Sequence, residues 1–139
     1  MLAHAGHPPR FESPFDGAPF ALLVVAAHEI AGNTRARLAD DAIAAGCRYA
    51  STWGAGCGDW HEDFDWAYLA TCDGHEPTDE TLVMTTAHDR ELLGDAIWFH
   101  LFCTNFQEVV LRRYLIWMLD DRPELTRDVR RTVSRLLAS

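Results

Sequence analysis

"FALLVVAAHE" occupies residues 20–29. Its apolar part shows no alternation of polar and apolar positions and stops abruptly at His28 and Glu29. A run of this kind marks a strand covered on both faces, since a sheet with one wet face would show period-two patterning. It is also far too short to cross a bilayer.

Reading outward, Gly32 and Asn33 offer a turn and a helix N-cap, and "TRARLADDAIAAG" (residues 34–46) follows with helical spacing. Leu38, Ala42 and Ala45 share one side of that helix, and Gly46 stops it. "CRYASTW" (residues 47–53) reads as a second strand. Asp59 and Glu62 have capping-box spacing, which predicts a helix from Trp60 to about Ala70. Its buried stripe would be Trp60, Phe64, Ala67 and Tyr68. "CDGHEPTDE" (residues 72–80) is a polar loop, and "TLVMTTA" (residues 81–87) a third strand. Asp89 caps an amphipathic helix running through Ala96, Ile97 and Leu101. "YLIWML" (residues 114–119) is apolar throughout and ends in Asp-Asp, so a fourth strand is preferred there to a continued helix. Pro123 suits the first turn of a last helix over residues 124–137.

Strands and helices therefore alternate as βαβαβαβα. That order predicts an α/β fold, a small three-layer sandwich with a mainly parallel sheet of about four strands, Rossmann- or flavodoxin-like. Residues 1–19 hold Pro8, Pro9, Pro14 and Pro19 and little periodicity. They read as an extended N-terminal leader with Phe11 and Phe15 docked on a single α/β domain of residues 20–139. No basic stretch leading into an apolar one is visible near the start, so the expected location is the cytoplasm.

The net charge is −9, and all twelve basic residues are arginine. Without lysine there is no Schiff-base amine and no phosphate-loop lysine. An acidic chain is poorly matched to a phosphate backbone, so no nucleic-acid partner is expected, and no membrane partner either. Arg112, Arg113, Arg122, Arg127, Arg130, Arg131 and Arg135 gather near the end of the chain. They read as a solvated helix carrying Asp/Arg pairs. Cys47, Cys57, Cys72 and Cys103 form no C-x-x-C pair and are expected as free thiols, Cys47 and Cys103 as core filler.

In open parallel sheets, ligands bind outside the carboxyl ends of the strands, where strand order reverses. This rule gathers the chemistry-bearing residues. The first strand ends in His28-Glu29. The second ends in Thr52-Trp53 and leads into Cys57, Trp60 and His61. The third ends in Thr85-Thr86 and His88. His61 and Asp65 would lie one helical turn apart, so that Asp65 accepts a proton from one ring nitrogen and fixes the tautomer. Cys57, His61, Asp65 and His88 are thus the candidate catalytic residues. His28, Glu29, Thr52, Trp53, Thr85 and Thr86 are the candidate ligand-binding residues.

Three chemistries can be set against this pattern. Cys57, His61 and either His28 or His88 supply metal-ligand types, but their spacing matches no strong metal signature, so no metal ligands and no cofactor are assigned. A thiol nucleophile would use Cys57, left accessible by the Gly-flanked "AGCGD", beside His61 or His88. Dinucleotide binding is disfavoured because "AHEIAGNT" lacks the glycine pattern that lets pyrophosphate approach.

W-G-x-x-C-x-x-W-H-x-x-F-D at residues 53–65, with "VMTTAHD" (residues 83–89) and "AIWF" (residues 96–99), resembles a family of small bacterial proteins, a domain of unknown function. The resemblance covers the middle third of the chain and implies a compact α/β domain of bacterial origin. It implies no activity, cofactor or catalytic residue. Two functional classes follow from the residues. One is a protein with a pocket for a small-molecule ligand or substrate at the carboxyl edge of the sheet. The other is an acidic interaction module of the immunity or accessory type, docking a protein partner through the Trp-rich segment.

Overall fold

The computed structural model describes residues 1–74, 81–119 and 122–138. The polar loop expected at residues 72–80 lies outside these from His75 onward. The elements are β1 (Leu2–His4), β2 (Phe20–Ala26), α1 (Gly32–Ala44), β3 (Cys47–Gly54), α2 (Cys57–Cys72), β4 (Met84–His88), α3 (Leu93–Phe102), β5 (Tyr114–Met118) and α4 (Pro123–Ala138). The five strands form one sheet in the order β1-β5-β2-β3-β4, with every pairing parallel. The α/β sandwich expected from the alternation of elements is present, with five strands rather than four.

The extra strand comes from the leader. Leu2, Ala3 and His4 pair with Ile116, Trp117 and Met118. Three residues are too few to show any periodicity, so the strand is set by its partner. Past it the leader crosses the α1/α2 face of the sheet. Phe11 stacks on Phe20 at 6.1 Å and meets Trp117 edge-on at 5.2 Å, and Phe15 packs on Phe20 at 5.4 Å. Both phenylalanines dock as expected.

Every residue of β2 is buried, as its unbroken apolar run requires. Alternate side chains feed two cores. Phe20, Leu22 and Val24 face α1 and α2 with Leu38, Trp60, Phe64 and Trp117. Leu23 and Val25 face α3 and α4 with Ile97, Met118 and Val129. The predicted stripe of α2 is buried at all four positions, Trp60, Phe64, Ala67 and Tyr68. Arg35 of α1 and Asp63 of α2 pair at 2.5 Å, both side chains 18% exposed, which locks these two helices over the sheet.

Helix starts differ from the sequence reading. α1 begins at Gly32, so Asn33 lies inside the first turn. α2 begins at Cys57, with Gly56 as its cap in a left-handed conformation, and Asp59 falls inside the first turn. α3 begins at Leu93, past Asp89. None of the three starts has a side-chain cap hydrogen bond: Ala31 and Leu92 enter α1 and α3 from extended backbone, and left-handed Gly56 turns the chain into α2. Among the described residues, no helix is long and apolar enough to cross a membrane.

Candidate functional site

Strand order places the candidate crevice. The chain steps from β2 outward to β3 and β4, then returns to lay β5 on the other side of β2. Connections therefore leave neighbouring carboxyl ends toward opposite faces of the sheet, which opens a crevice between β2 and β5. A cavity of about 380 Å³ lies there, lined by His28 after β2, Met118, Leu119 and Arg122 after β5, and His4 to His7 after β1. Its floor is held by backbone hydrogen bonds, Leu119 N–H to Val25 O at 3.1 Å and Ala5 N–H to Met118 O at 2.8 Å. His4 also reaches α4, with Nε2 3.1 Å from the Thr126 hydroxyl.

Of the expected site residues, only His28 lines this crevice. Glu29 is exposed beside Gly56, where a Cβ on the glycine would come 3.7 Å from Glu29 Cγ. The remaining residues gather along β3 and β4 and divide between the two faces of the sheet. Thr85 points toward α2 and Thr86 toward α3, because neighbouring residues of a strand alternate.

On the α2 face, Thr85 donates to Asp65 Oδ1 at 2.6 Å, and His61 Nε2 lies 3.1 Å from the same hydroxyl. His61 Nδ1 faces Asp65 Oδ2 at 3.3 Å, the i,i+4 pairing expected from their spacing. Both ring nitrogens face partners inside a triangle of side chains that ties α2 to β4, an edge strand. Thr85→Val is expected to lower stability by about 1 kcal/mol, the usual cost of one such hydrogen bond. Urea unfolding would measure it, and an unchanged midpoint would show that the triangle braces nothing.

On the α3 face, His88 is only 5% exposed. Its Nδ1 lies 2.9 Å from Glu91 Oε2, its Nε2 3.0 Å from the Thr86 hydroxyl, and its ring 4.7 Å from that of Phe99. Thr86 donates onward to Ser51 at 3.0 Å. The Trp53 indole N–H donates to the Glu91 carbonyl at 2.8 Å, which holds the same loop. Thr52 is fully buried on the α2 face, and its hydroxyl has no partner among the described residues. The sheet thus separates His61 from His88, and neither lines the crevice that His28 occupies.

The start of α2 also alters the reading of Cys57. The thiol sits on the first helical residue and is 5% exposed, whereas the sequence placed it in an open loop. Burial pushes its pKa up, and the nearby Asp89 carboxylate adds to the shift. An activated cysteine needs the opposite, an accessible and electropositive setting. Cys47 is core filler as expected, its pKa pushed up to about 12 by burial. All four cysteines are free, and Cys103 and Cys72 are half-buried, Cys72 as the last residue of α2. Among the described residues, no group of three or more His, Cys, Asp or Glu side chains is disposed to hold a metal ion.

Sequence reasoning missed His4, His7 and Arg122. Each lies outside the expected strands, and nothing in their own spacing marks them. The signal that finds them is the reversal of strand order, which depends on which strands pair.

Among curated proteins and solved structures, nothing matches the chain. A family model does match, and its span takes in β1 and most of α4, both outside the motifs that carried the resemblance. The chain belongs to the family described as Domain of unknown function (DUF7684), whose model covers residues 2–136.

Proposed function

We propose that this protein binds a small polar ligand in the crevice at the carboxyl ends of β2 and β5, read by His28 and Arg122 with His4 and His7 at the rim. The observation that carries this reading is the coincidence of the cavity with the point where strand order reverses. Imidazole rings offer both a donor and an acceptor, and the guanidinium offers planar donors, so the site suits a ligand rich in oxygen or nitrogen. On this reading Cys57, His61, Asp65 and His88 brace the loops beside β4 instead of carrying catalysis, since the ring nitrogens of both histidines face partners within the protein.

The test is a ligand-observed NMR screen of small polar acids and nucleosides against the full chain. At least one hit should weaken about tenfold in His28→Ala, a loss of about 1.4 kcal/mol, while His61→Ala leaves it unchanged. Hits that ignore His28 and vanish with His61 would move the site to β4 and overturn the proposal.

One observation favours the interaction-module reading. Trp66 and Leu69 are 71% and 55% exposed on the outer side of α2, apolar surface that a partner could cover. Trp66→Ser should then abolish co-purification of one identified partner from the native host. Identical partner profiles for both proteins would sink that reading.

A further inference from the structure

The opposite edge of the sheet holds a larger cavity, about 620 Å³, at the amino ends of β1 and β5 and between α3 and α4. Its walls include Leu2, Leu101, Ile116 and Val133, and Arg112, Arg113 and Arg130 stand around it. The three arginines are exposed, and their guanidiniums have no carboxylate partner among the described residues. The chain carries nine more negative than positive charges, so three uncompensated cations about one apolar cavity are a local reversal of its field.

A second observation points to a ligand. His100 of α3 lines this cavity and is fully buried, and neither of its ring nitrogens has a hydrogen-bond partner among the described residues. The Tyr114 ring lies perpendicular to it at 5.7 Å. Burial pushes the ring's pKa down to about 3, so near neutral pH it is uncharged and keeps one N–H to donate. A buried donor without a partner is costly and is normally satisfied by protein, water or ligand.

We propose that this cavity binds a single-chain amphiphile with an anionic head. The apolar chain lies among Leu2, Leu101, Ile116 and Val133, the head is held by Arg112, Arg113 and Arg130, and His100 donates to a polar atom of the ligand. The volume falls within the range of small-molecule pockets. The two chemical demands are separable, because the walls select for chain length and the arginines for charge.

Calorimetric titration of the full chain with decanoate tests both. Decanoate should bind at least about tenfold tighter than butyrate, which lacks the chain, and than decanol, which lacks the charge. The double variant Arg112→Gln, Arg113→Gln should erase the preference for decanoate over decanol, and its exposed positions should leave the circular dichroism spectrum unchanged. Val133→Trp, which fills the cavity, should abolish binding of both. Decyl phosphate run in parallel identifies the head, since tighter binding of either anion supports the site and names its chemistry. Equal affinity for decanoate and decanol, or no saturable binding of decanoate and decyl phosphate alike, overturns the proposal.

Discussion

Gly54→Ala is expected to destabilise the fold by at least about 3 kcal/mol, a large share of the roughly 5–15 kcal/mol that holds an ordinary domain folded. Gly54 closes β3 at φ +104°, a conformation that side-chain-bearing residues rarely adopt. A Cβ there would meet the Ala26 carbonyl oxygen at 2.2 Å, a backbone atom and not a yielding side chain. That carbonyl is already fixed, because it accepts the Ala55 N–H at 2.8 Å where β2 and β3 end together. Relief would have to come from parting the two strands, which would also move His28 two residues beyond Ala26. Gly58 is the control within the same motif. It lies in the first turn of α2, and a Cβ there meets nothing within 4 Å. Gly58→Ala should be neutral or stabilise by up to about 1 kcal/mol, because alanine is the better helix former. Chemical denaturation of the two variants would decide the matter, and similar midpoints for both would refute the steric argument.

The same pair shows how much of the fold could be read from sequence. The motif around Trp53 marks a strand passing into a helix, and the burial of Trp60, Phe64, Ala67 and Tyr68 follows from helical spacing. The buried strands β2 and β5 were equally legible, since continuous apolar runs of that length have few other uses. β1 was not. Three residues carry no period, and their pairing with Ile116, Trp117 and Met118 is a tertiary fact. Helix starts were misplaced for a related reason. Left-handed Gly56 turns the chain ahead of Asp59, so α2 begins at Cys57 and carries its sulfur into the protein.

The site was legible in its local part only. His61 and Asp65 meet because four residues in a helix bring side chains together wherever the helix lies. Whether His28, His61 and His88 meet depends on strand order and on the face each side chain takes. Thr85 and Thr86 are neighbours in sequence yet join different networks, one with Asp65 under α2 and one with Ser51 on the α3 face. Strand order also decides which carboxyl ends open to a ligand. It selects β2 and β5, so His4, His7 and Arg122 come to His28 from distant parts of the chain. No window of sequence contains that set.

His100→Phe should make the protein more stable, and most of all in acid. The imidazole is fully buried and both nitrogens lack a partner among the described residues, so a ring of similar shape without polar atoms removes a desolvation penalty of about 1–3 kcal/mol. Burial first, then the amino-terminal ammonium and His88, lower the folded-state pKa from 6.5 to about 3. Between those values the unfolded chain binds a proton at this residue that the folded chain does not, so stability falls as pH falls through the window. From pH 7 to pH 5 the loss assignable to this group is about 2 kcal/mol. His100→Phe should abolish that part of the acid slope, and His100→Leu should do the same if phenylalanine overfills the space. Urea unfolding of all three proteins at pH 7 and pH 5 would measure both effects. Parallel slopes for wild type and variants would mean that the ring already has a partner in solution. If both variants gain stability and lose decanoate, the histidine is a polar group kept at a cost to the fold for the sake of a ligand, the usual trade between stability and a binding site.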